Sequence, residues 1–167
     1  MKPLNTTAIA IAVLVLTMMP GATSLAQSTE ESAIVTLDHR LVDAFNKLDV
    51  KMFNRCYVDD SKTVFFIDTT PLQIAGSDAW FKLNADFIHS ASKIDMKMKN
   101  LVIAVGGDLA GTHSIISMDW TDKQGEHHEI GRYTQILKKV DGKWLIWHEH
   151  FSVPYDPATG KAVLDAK

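Results

Sequence analysis

Cysteine is nearly absent from this chain of 167 residues, in which Cys56 is the only one. An intramolecular disulfide is therefore excluded, and so is a zinc site built on a set of cysteines. Cys56 stands beside Tyr57 and close to Phe53 on what the pattern indicates is a helix face. That setting favours a small buried side chain over a reactive thiol.

Long runs of charge of one sign are also missing, and the formal net charge is only −3. This balance gives no reason to expect nucleic acid or an anionic membrane as a partner. Glycine and proline are few, and 46% of the residues are hydrophobic, as in an ordinary globular protein. The length suits one domain with a substantial core and is short for two.

The chain has no apolar run long enough to favour a membrane span, which takes about 18 residues or more. Its longest run, AIAIAVLVLTMM at residues 8–19, follows Lys2 and is succeeded by a Pro-Gly break and small residues. This pattern predicts a secretory signal peptide over residues 1–26 and a mature domain over residues 27–167. We therefore expect an exported protein, periplasmic or secreted, with no stable membrane insertion after cleavage. An uncleaved membrane anchor is the alternative.

Hydrophobic periodicity predicts an α+β fold. Apolar residues recur at helical spacing after Ser28, over residues 50–58 and after Ser77, and a β-branched, aromatic strand, KTVFFIDTT, precedes the third helix. From Lys93 the period changes to two, and turn residues divide the rest into four strands. This order predicts three N-terminal helices packed on one face of a curved, mostly antiparallel sheet.

The last two predicted strands meet at Asp141-Gly142, a favoured two-residue hairpin turn. With a register that runs unbroken from this turn, Thr134 opposes Glu149, and opposed residues share a face. One face then carries Arg132, Thr134, Ile136, Leu145, Trp147, Glu149 and Phe151, and the other carries Tyr133, Gln135, Leu137, Trp144, Ile146, His148 and His150. Both faces are rich in large apolar groups, so we expect one to meet the helices and a pocket and the other a partner subunit or a packed tail.

Two segments resemble the SnoaL-like proteins, ketosteroid isomerase homologues within the NTF2-like superfamily. The first is FNKLDVKMFNRCYVDD, followed by a strand, and the second is GRYTQILKKVDGKWLIWHEHFSVPYDPATGK. The resemblance covers essentially the whole mature chain, and it implies a cone-shaped sheet closed by helices around a pocket, often in a dimer. The superfamily includes isomerases, cyclases, dehydratases, binding proteins and assembly domains, so the fold does not fix the chemistry.

The resemblance to ketosteroid isomerases places Thr134 where those enzymes carry a second, proton-donating acid, and so implies that Arg132 and Glu149 face the inside of the cone. The general base of those enzymes falls near Asp68, and their oxyanion-hole tyrosine falls near Leu41. Threonine and leucine cannot play these roles, so the steroid-isomerase mechanism is not carried over. We expect Asp68 or Glu149 as the catalytic base. The predicted ligand-binding residues are Arg132, Thr134, Trp147, Trp120, Phe66 and Phe151.

Simpler interpretations stay open for these residues. Arg132 and Glu149 could form only a structural ion pair, and Asp68 could only cap a turn. His148 and His150 share a strand face, as metal-binding pairs do, but no further ligand is evident. Neither a metal nor a cofactor is therefore predicted.

Three functions are compatible with the sequence. The first is a cofactor-free acid–base enzyme, of isomerase, cyclase or dehydratase type, that acts on a small hydrophobic carbonyl compound. The second is a non-catalytic module that binds a small carboxylate or apolar metabolite through Arg132, and the third is a dimeric assembly module. An open carboxylate in the pocket favours the first, whereas a bidentate Arg132–Glu149 pair favours the others. A small-molecule ligand and a homodimer are the expected partners.

Overall fold

The computed structural model describes residues 20–165. The helices are α1 (Pro20–Asn46), α2 (Val50–Asn54) and α3 (Ser77–Ser90). The strands are β1 (Val64–Phe65), β2 (Ile74–Ala75), β3 (Lys93–Gly106), β4 (Leu109–Asp122), β5 (Gly125–Val140), β6 (Lys143–Ser152), β7 (Tyr155–Asp156) and β8 (Lys161–Ala162). The predicted α+β architecture is confirmed.

The signal peptide predicted over residues 1–26 lies mostly outside the described residues, and only its last part belongs to α1. Among the helices of residues 20–165, none has the length and apolar character needed to cross a membrane. The first helix begins at Pro20, before the predicted cap at Ser28.

The main sheet is an antiparallel meander of β3, β4, β5 and β6 in sequence order. Its inner face packs against α1, and α3 reaches it through Phe87, whose ring lies edge-on to Trp120 with centroids 5.9 Å apart. The side chains that α1, α2 and the sheet bury together include Ile34, Leu41, Phe53, Cys56, Ile94, Met96, Leu137 and Ile146. The core therefore lies between the helices and the inner face of the sheet.

Cys56 is fully buried in this core, as the sequence predicts. Burial raises the pKa of its thiol to about 11, so the thiol stays protonated at neutral pH. A reactive thiolate is not available there.

The chain segment after β1 runs beside β6 and places a predicted site residue. The Phe66 N–H donates to the Glu149 carbonyl, and the Phe66 carbonyl accepts from the Phe151 N–H, both at 3.0 Å. Asp68 follows two positions later, so these bonds bring it close to the strand that carries Glu149.

The hairpin turn forms as predicted, but the register beyond it does not. Asp141 and Gly142 both have positive φ, and Val140 pairs with Lys143. A β-bulge then interrupts the ladder at Trp147, because Leu137 pairs with Ile146 whereas the next residue along, Ile136, pairs with His148. From that point the partners of β5 are shifted by one position.

The bulge is held by the chain segment between α2 and β1. The Trp147 indole donates to Asp60 Oδ2 at 3.2 Å, and the Trp147 carbonyl accepts from the Thr63 hydroxyl. These two contacts fix the extra residue outside the regular ladder.

The shifted register corrects the predicted faces. Glu149 now lies opposite Gln135 and shares the inner face with Tyr133, whereas Arg132 and Thr134 lie on the exposed outer face. The predicted pairing of Thr134 with Glu149 is therefore wrong, and Thr134 pairs with His150 instead.

With Arg132 and Glu149 expected inside the cone, the face of Trp144, Ile146, His148 and His150 was the one expected to meet a partner subunit, and it is also corrected in part. Trp144 and Ile146 are buried against the helices, and the Trp144 indole donates to Glu30 of α1 at 2.6 Å. These two side chains cannot meet a partner subunit. His148 and His150 do face away from the core.

Candidate active site

A cavity of about 360 Å³ lies between α3, the end of α1 and the inner face of the sheet. Most of its wall is apolar or aromatic. Its lining residues are Phe45, Ile67, Asp68, Thr69, Trp80, Leu83, Asn84, Phe87, Met96, Ile116, Met118, Trp120, Glu129, Tyr133, Glu149 and Phe151. Such a wall, with a few polar groups on it, is typical of a small-molecule site.

Glu149 is the most buried carboxyl of the cavity wall, with 6% of its surface exposed. Tyr57 donates to Glu149 Oε2 at 2.6 Å, and Tyr133 donates to the same oxygen. Within residues 20–165, no hydrogen bond uses Oε1. Oε1 is therefore the oxygen that a ligand in the cavity can meet.

A network of hydrogen bonds between buried side chains leads to the Glu149 carboxyl. Thr112 donates to Gln135 Oε1 at 2.7 Å, and Gln135 Nε2 donates to the Tyr133 hydroxyl at 3.2 Å. Because Tyr133 passes its own proton towards Glu149, the network orients the phenol as a donor. Burial raises the pKa of both Tyr57 and Tyr133, so the phenols stay protonated.

Opposing effects set the protonation of Glu149. Burial raises the pKa of its carboxyl to about 7, while the hydrogen bonds from Tyr133 and Tyr57 act to lower it. Neighbouring Asp38 raises the pKa of Glu149 further. The carboxyl is consequently present both ionised and protonated near neutral pH, as a general base or acid requires.

Asp38 of α1 is a second buried carboxyl, with only 1% of its surface exposed. Burial raises its pKa to about 7, and the nearby Gln135 amide lowers it by less. Neither carboxyl oxygen has a hydrogen-bond partner of ordinary geometry. A buried carboxyl without donors is more stable when protonated, so burial favours the protonated form of Asp38 up to about neutral pH.

The cavity wall carries two more carboxyls, which interact with each other. Glu129 is half-buried on β5 and lies beside Asp68. Burial and a hydrogen bond with the Asp68 carboxyl raise the pKa of Glu129 to about 8. With a pKa of about 8, Glu129 holds its proton at neutral pH.

The two acidic groups are held by different positions along β5, because Glu149 is bound to Tyr133. Glu129 and Tyr133 lie on the same face of β5 and are four residues apart, which corresponds to roughly 13 Å along the strand. A ligand with polar groups at both ends and an apolar middle would reach both.

Four of the residues predicted for the site line the cavity: Asp68, Glu149, Trp120 and Phe151. Phe151 packs directly against the backbone of Gly131, since a Cβ atom at that position would lie 2.5 Å from the Phe151 ring. Their catalytic or binding roles remain predictions.

The other four predicted residues do not line the cavity. Arg132 is exposed on the outer face, where Nη2 donates to the Val153 carbonyl at 3.2 Å, so the predicted Arg132–Glu149 pair is wrong. Thr134 is exposed beside it because of the bulge.

Phe66 and Trp147 are the remaining corrections. The Phe66 ring is 37% exposed and lies edge-on to His148 and His150, with centroids 5.2 and 5.7 Å away. Trp147 is the bulged residue, and its indole is bound to Asp60.

Sequence reasoning missed Tyr57, Tyr133, Glu129 and Asp38. Tyr133 and Glu129 are four positions apart on β5 and so lie on the same face of the strand. Had Tyr133 been assigned to the inner face, the same alternation would have assigned Glu129 to it as well. Asp38 and Tyr57 stand among core residues and gave no separate signal. Within the described part of the chain, no three histidine, cysteine, aspartate or glutamate side chains are grouped as a metal site.

Comparison with known proteins gives a consistent family. The profile of the SnoaL-like domain matches residues 34–156. No curated protein matches the chain.

Solved structures share the fold. An NTF2-like protein of unknown function from Pseudomonas putida KT2440 is 27% identical, with a TM-score of 0.74 over 84% of this chain and 97% of that one. An NTF2-like superfamily protein from Salmonella enterica is 20% identical, with a TM-score of 0.72 over 82% of this chain and 99% of that one. A candidate dehydratase of the NTF2-like family from Streptomyces avermitilis is 12% identical, with a TM-score of 0.69 over 75% of this chain and 96% of that one. With the profile spanning most of the described domain, the chain belongs to the SnoaL-like domain family of the NTF2-like superfamily.

Proposed function

We propose that the protein is a cofactor-free acid–base enzyme, an isomerase or lyase, that acts on a small, mostly apolar carbonyl compound. The observation that carries the proposal is Glu149. Its carboxyl lies in the wall of an apolar cavity, is oriented by Tyr57 and Tyr133, and has a pKa near 7. A positioned carboxyl of this kind suits proton abstraction from carbon.

In the proposed reaction, ionised Glu149 takes a proton from the carbon next to the ligand carbonyl through Oε1. The electron pair of that C–H bond moves into the conjugated system of the ligand. The proton of Glu129, which lies beside Asp68, is donated to an oxygen at the other end of the ligand. In an isomerase, Glu149 then returns the proton to another carbon. In a lyase, the C–O bond breaks, and the leaving hydroxyl takes the Glu129 proton and departs as water.

The charge of the cavity supports a neutral ligand. Its three acidic side chains are Asp68, Glu129 and Glu149, and none of the described lining residues is lysine, arginine or histidine. A carboxylate ligand would meet these acids without a cation to offset them. With Arg132 on the outer face, capture of a carboxylate through that residue is no longer supported. The likeness to the candidate dehydratase is consistent with a lyase but rests on fold alone.

The proposal includes export and a homodimer. The apolar run at residues 8–19 supports export to the periplasm or out of the cell. Exposed apolar side chains on the outer face of the sheet support a dimer through that face: Val102 and Leu109 at 50%, and Ile136 at 39%.

Proton abstraction can be tested without knowing the substrate. Ketones such as 2-tetralone are incubated with the protein in D₂O, and the loss of the α-proton signal is followed by NMR. We expect exchange faster than in buffer with the wild type and a return to the buffer rate with Glu149→Gln. Glu126→Gln, an exposed site on the same strand pair, is the matched control and should keep the wild-type rate. If ketones bind in the cavity and none exchanges faster, the proposed chemistry is wrong.

A further inference from the structure

A second concave surface lies between α1 and the turn that joins β5 to β6. It encloses about 560 Å³ and shares no lining residue with the cavity described above. Its walls are formed by Ala33, Thr36, Leu37 and Arg40 of α1, by Arg55, and by residues 142–145. We call it the α1 groove.

Two of the residues that line this groove are arginines. Arg40 and Arg55 both line it, and with Met52 they line an adjoining depression of about 230 Å³. Arg55 Nε donates to the Lys51 carbonyl at 3.1 Å, which anchors that side chain. Within residues 20–165, no hydrogen bond uses its terminal nitrogens. Lys143 lines the opposite wall of the groove.

The positive charges of the α1 groove are not neutralised within the described residues. Among residues 20–165, no acidic side chain lines the groove, and Arg40, Arg55 and Lys143 have no ion pair. Four lysines outside the groove, Lys47, Lys82, Lys97 and Lys139, do have carboxylate partners. Because the net charge is −3, the groove does not reflect a general excess of positive charge.

We propose that the α1 groove is a binding site for an organic oxyanion, a phosphate or carboxylate group on an apolar body. A guanidinium presents parallel N–H donors that match two oxygens of such a group, and two neighbouring guanidiniums can share one anion. Half-buried Leu145 provides apolar surface for the rest of the ligand, next to the largely buried Leu37 and Trp144. The proposal is independent of the chemistry proposed for Glu149, since the two sites share no residue.

Titration calorimetry with phenyl phosphate tests the proposal, with inorganic phosphate and phenol as companion ligands. Phenyl phosphate should bind more tightly than phosphate, which lacks the apolar body, and phenol should not bind to the groove. Arg40→Ala and Arg55→Ala should each weaken phenyl phosphate at least about tenfold, the expected effect of losing a charged hydrogen-bond donor. Arg132→Ala is the matched control, because it removes the same charge from the outer face of the sheet, and it should leave affinity unchanged.

Equal weakening by all three arginine variants would show general charge attraction and overturn the proposal, as would undiminished binding to Arg40→Ala. Arg40→Lys keeps the charge, removes the forked donor and should still lose affinity, so it carries the test if the alanine variant does not fold. Sedimentation with phosphatidylglycerol vesicles separates the two sources of a phosphate group. We expect the protein to stay in the supernatant. If it instead sediments with the vesicles and does not bind phenyl phosphate, the groove binds a membrane surface and the proposed small-molecule site is wrong.

Discussion

The Tyr57 hydroxyl donates a hydrogen bond of 2.6 Å to Glu149 Oε2 and so joins the segment that follows α2 to β6 across 92 positions of the chain. Tyr133 donates to the same oxygen from the neighbouring strand. These phenols stabilise the ionised carboxylate, while burial opposes ionisation, and the balance leaves the pKa of Glu149 at about 7. The position of the segment that carries Tyr57 therefore affects the pKa of the carboxyl proposed as the base.

Tyr57→Phe should destabilise the protein more at pH 8 than at pH 5. The variant removes a donor to the ionised carboxylate, and Glu149 is ionised mainly above pH 7. Losing a hydrogen bond to a charged group costs about 1.5–3 kcal/mol, so the free energy of unfolding at pH 8 should fall by roughly that amount. Urea denaturation at both pH values measures it. Tyr155→Phe, at a 66% exposed site, should change little, and equal losses at pH 5 and pH 8 for Tyr57→Phe would contradict the account.

Asp38→Asn should flatten the dependence of stability on pH. The folded protein holds a proton on Asp38 up to about pH 7, whereas the unfolded chain releases it near pH 3.8. The wild type therefore loses stability as pH rises between these values, since the folded state binds more protons there. The stability of Asp38→Asn relative to the wild type should rise over this window by up to about 4 kcal/mol.

Chemical denaturation of wild type and variant from pH 4 to pH 8 provides the comparison. Asp108→Asn, at an exposed turn, is the control and should follow the wild-type curve. A constant difference between Asp38→Asn and the wild type across the range would mean that Asp38 is already ionised at low pH, against the structure.

Gly131→Ala should destabilise the fold and change the cavity wall. The added Cβ would lie 2.5 Å from the Phe151 ring and 2.7 Å from the Ser152 carbonyl oxygen, so the ring or the strand must move. Overpacking of this kind costs about 1–3 kcal/mol. Gly111→Ala on β4 is the control, because its Cβ meets nothing within 4 Å. Thermal unfolding of both variants decides the point, and equal melting temperatures would be the contrary result.

Ile136→Asp should convert the proposed dimer to a monomer. Ile136 is 39% exposed at the outer face of the sheet, and a carboxylate buried in an interface there would have no partner to neutralise it. Sedimentation equilibrium at micromolar concentration gives the mass. Leu72→Asp, at a 91% exposed loop position, should leave the assembly intact. A wild type of monomer mass would remove the dimer from the account.

The sequence was sufficient for the fold because periodicity, the Asp141-Gly142 turn and the two family-like segments all indicated the same architecture. It also brought Asp68 and Glu149 to one cavity. The prediction that Arg132 faces the cavity failed, because a hairpin turn fixes the strand register only up to the first β-bulge. The bulge at Trp147 depends on contacts with Asp60 and Thr63, and alternation along β6 cannot reveal them.

Two features of the cavity depend on contacts between distant parts of the chain. Tyr57 is read as a core residue of the helical layer until its partner on β6 is known. The pairing of Asp68 with Glu129 joins a loop to the middle of a strand, and neither residue carries a local signal for the other. Such pairs follow from tertiary packing and not from spacing in the sequence.

The most direct test of the central claim is the titration of Glu149 itself. Carbon-13 labelling of glutamate side chains allows the Glu149 carboxyl resonance to be followed from pH 3 to pH 9, with Glu149→Gln identifying the signal. The account predicts a midpoint near 7, with a carboxyl that exchanges protons at neutral pH. A midpoint near 4.5, the ordinary value for glutamate, would show that Glu149 is a solvated, permanently ionised group and would contradict its role as the base of the cavity.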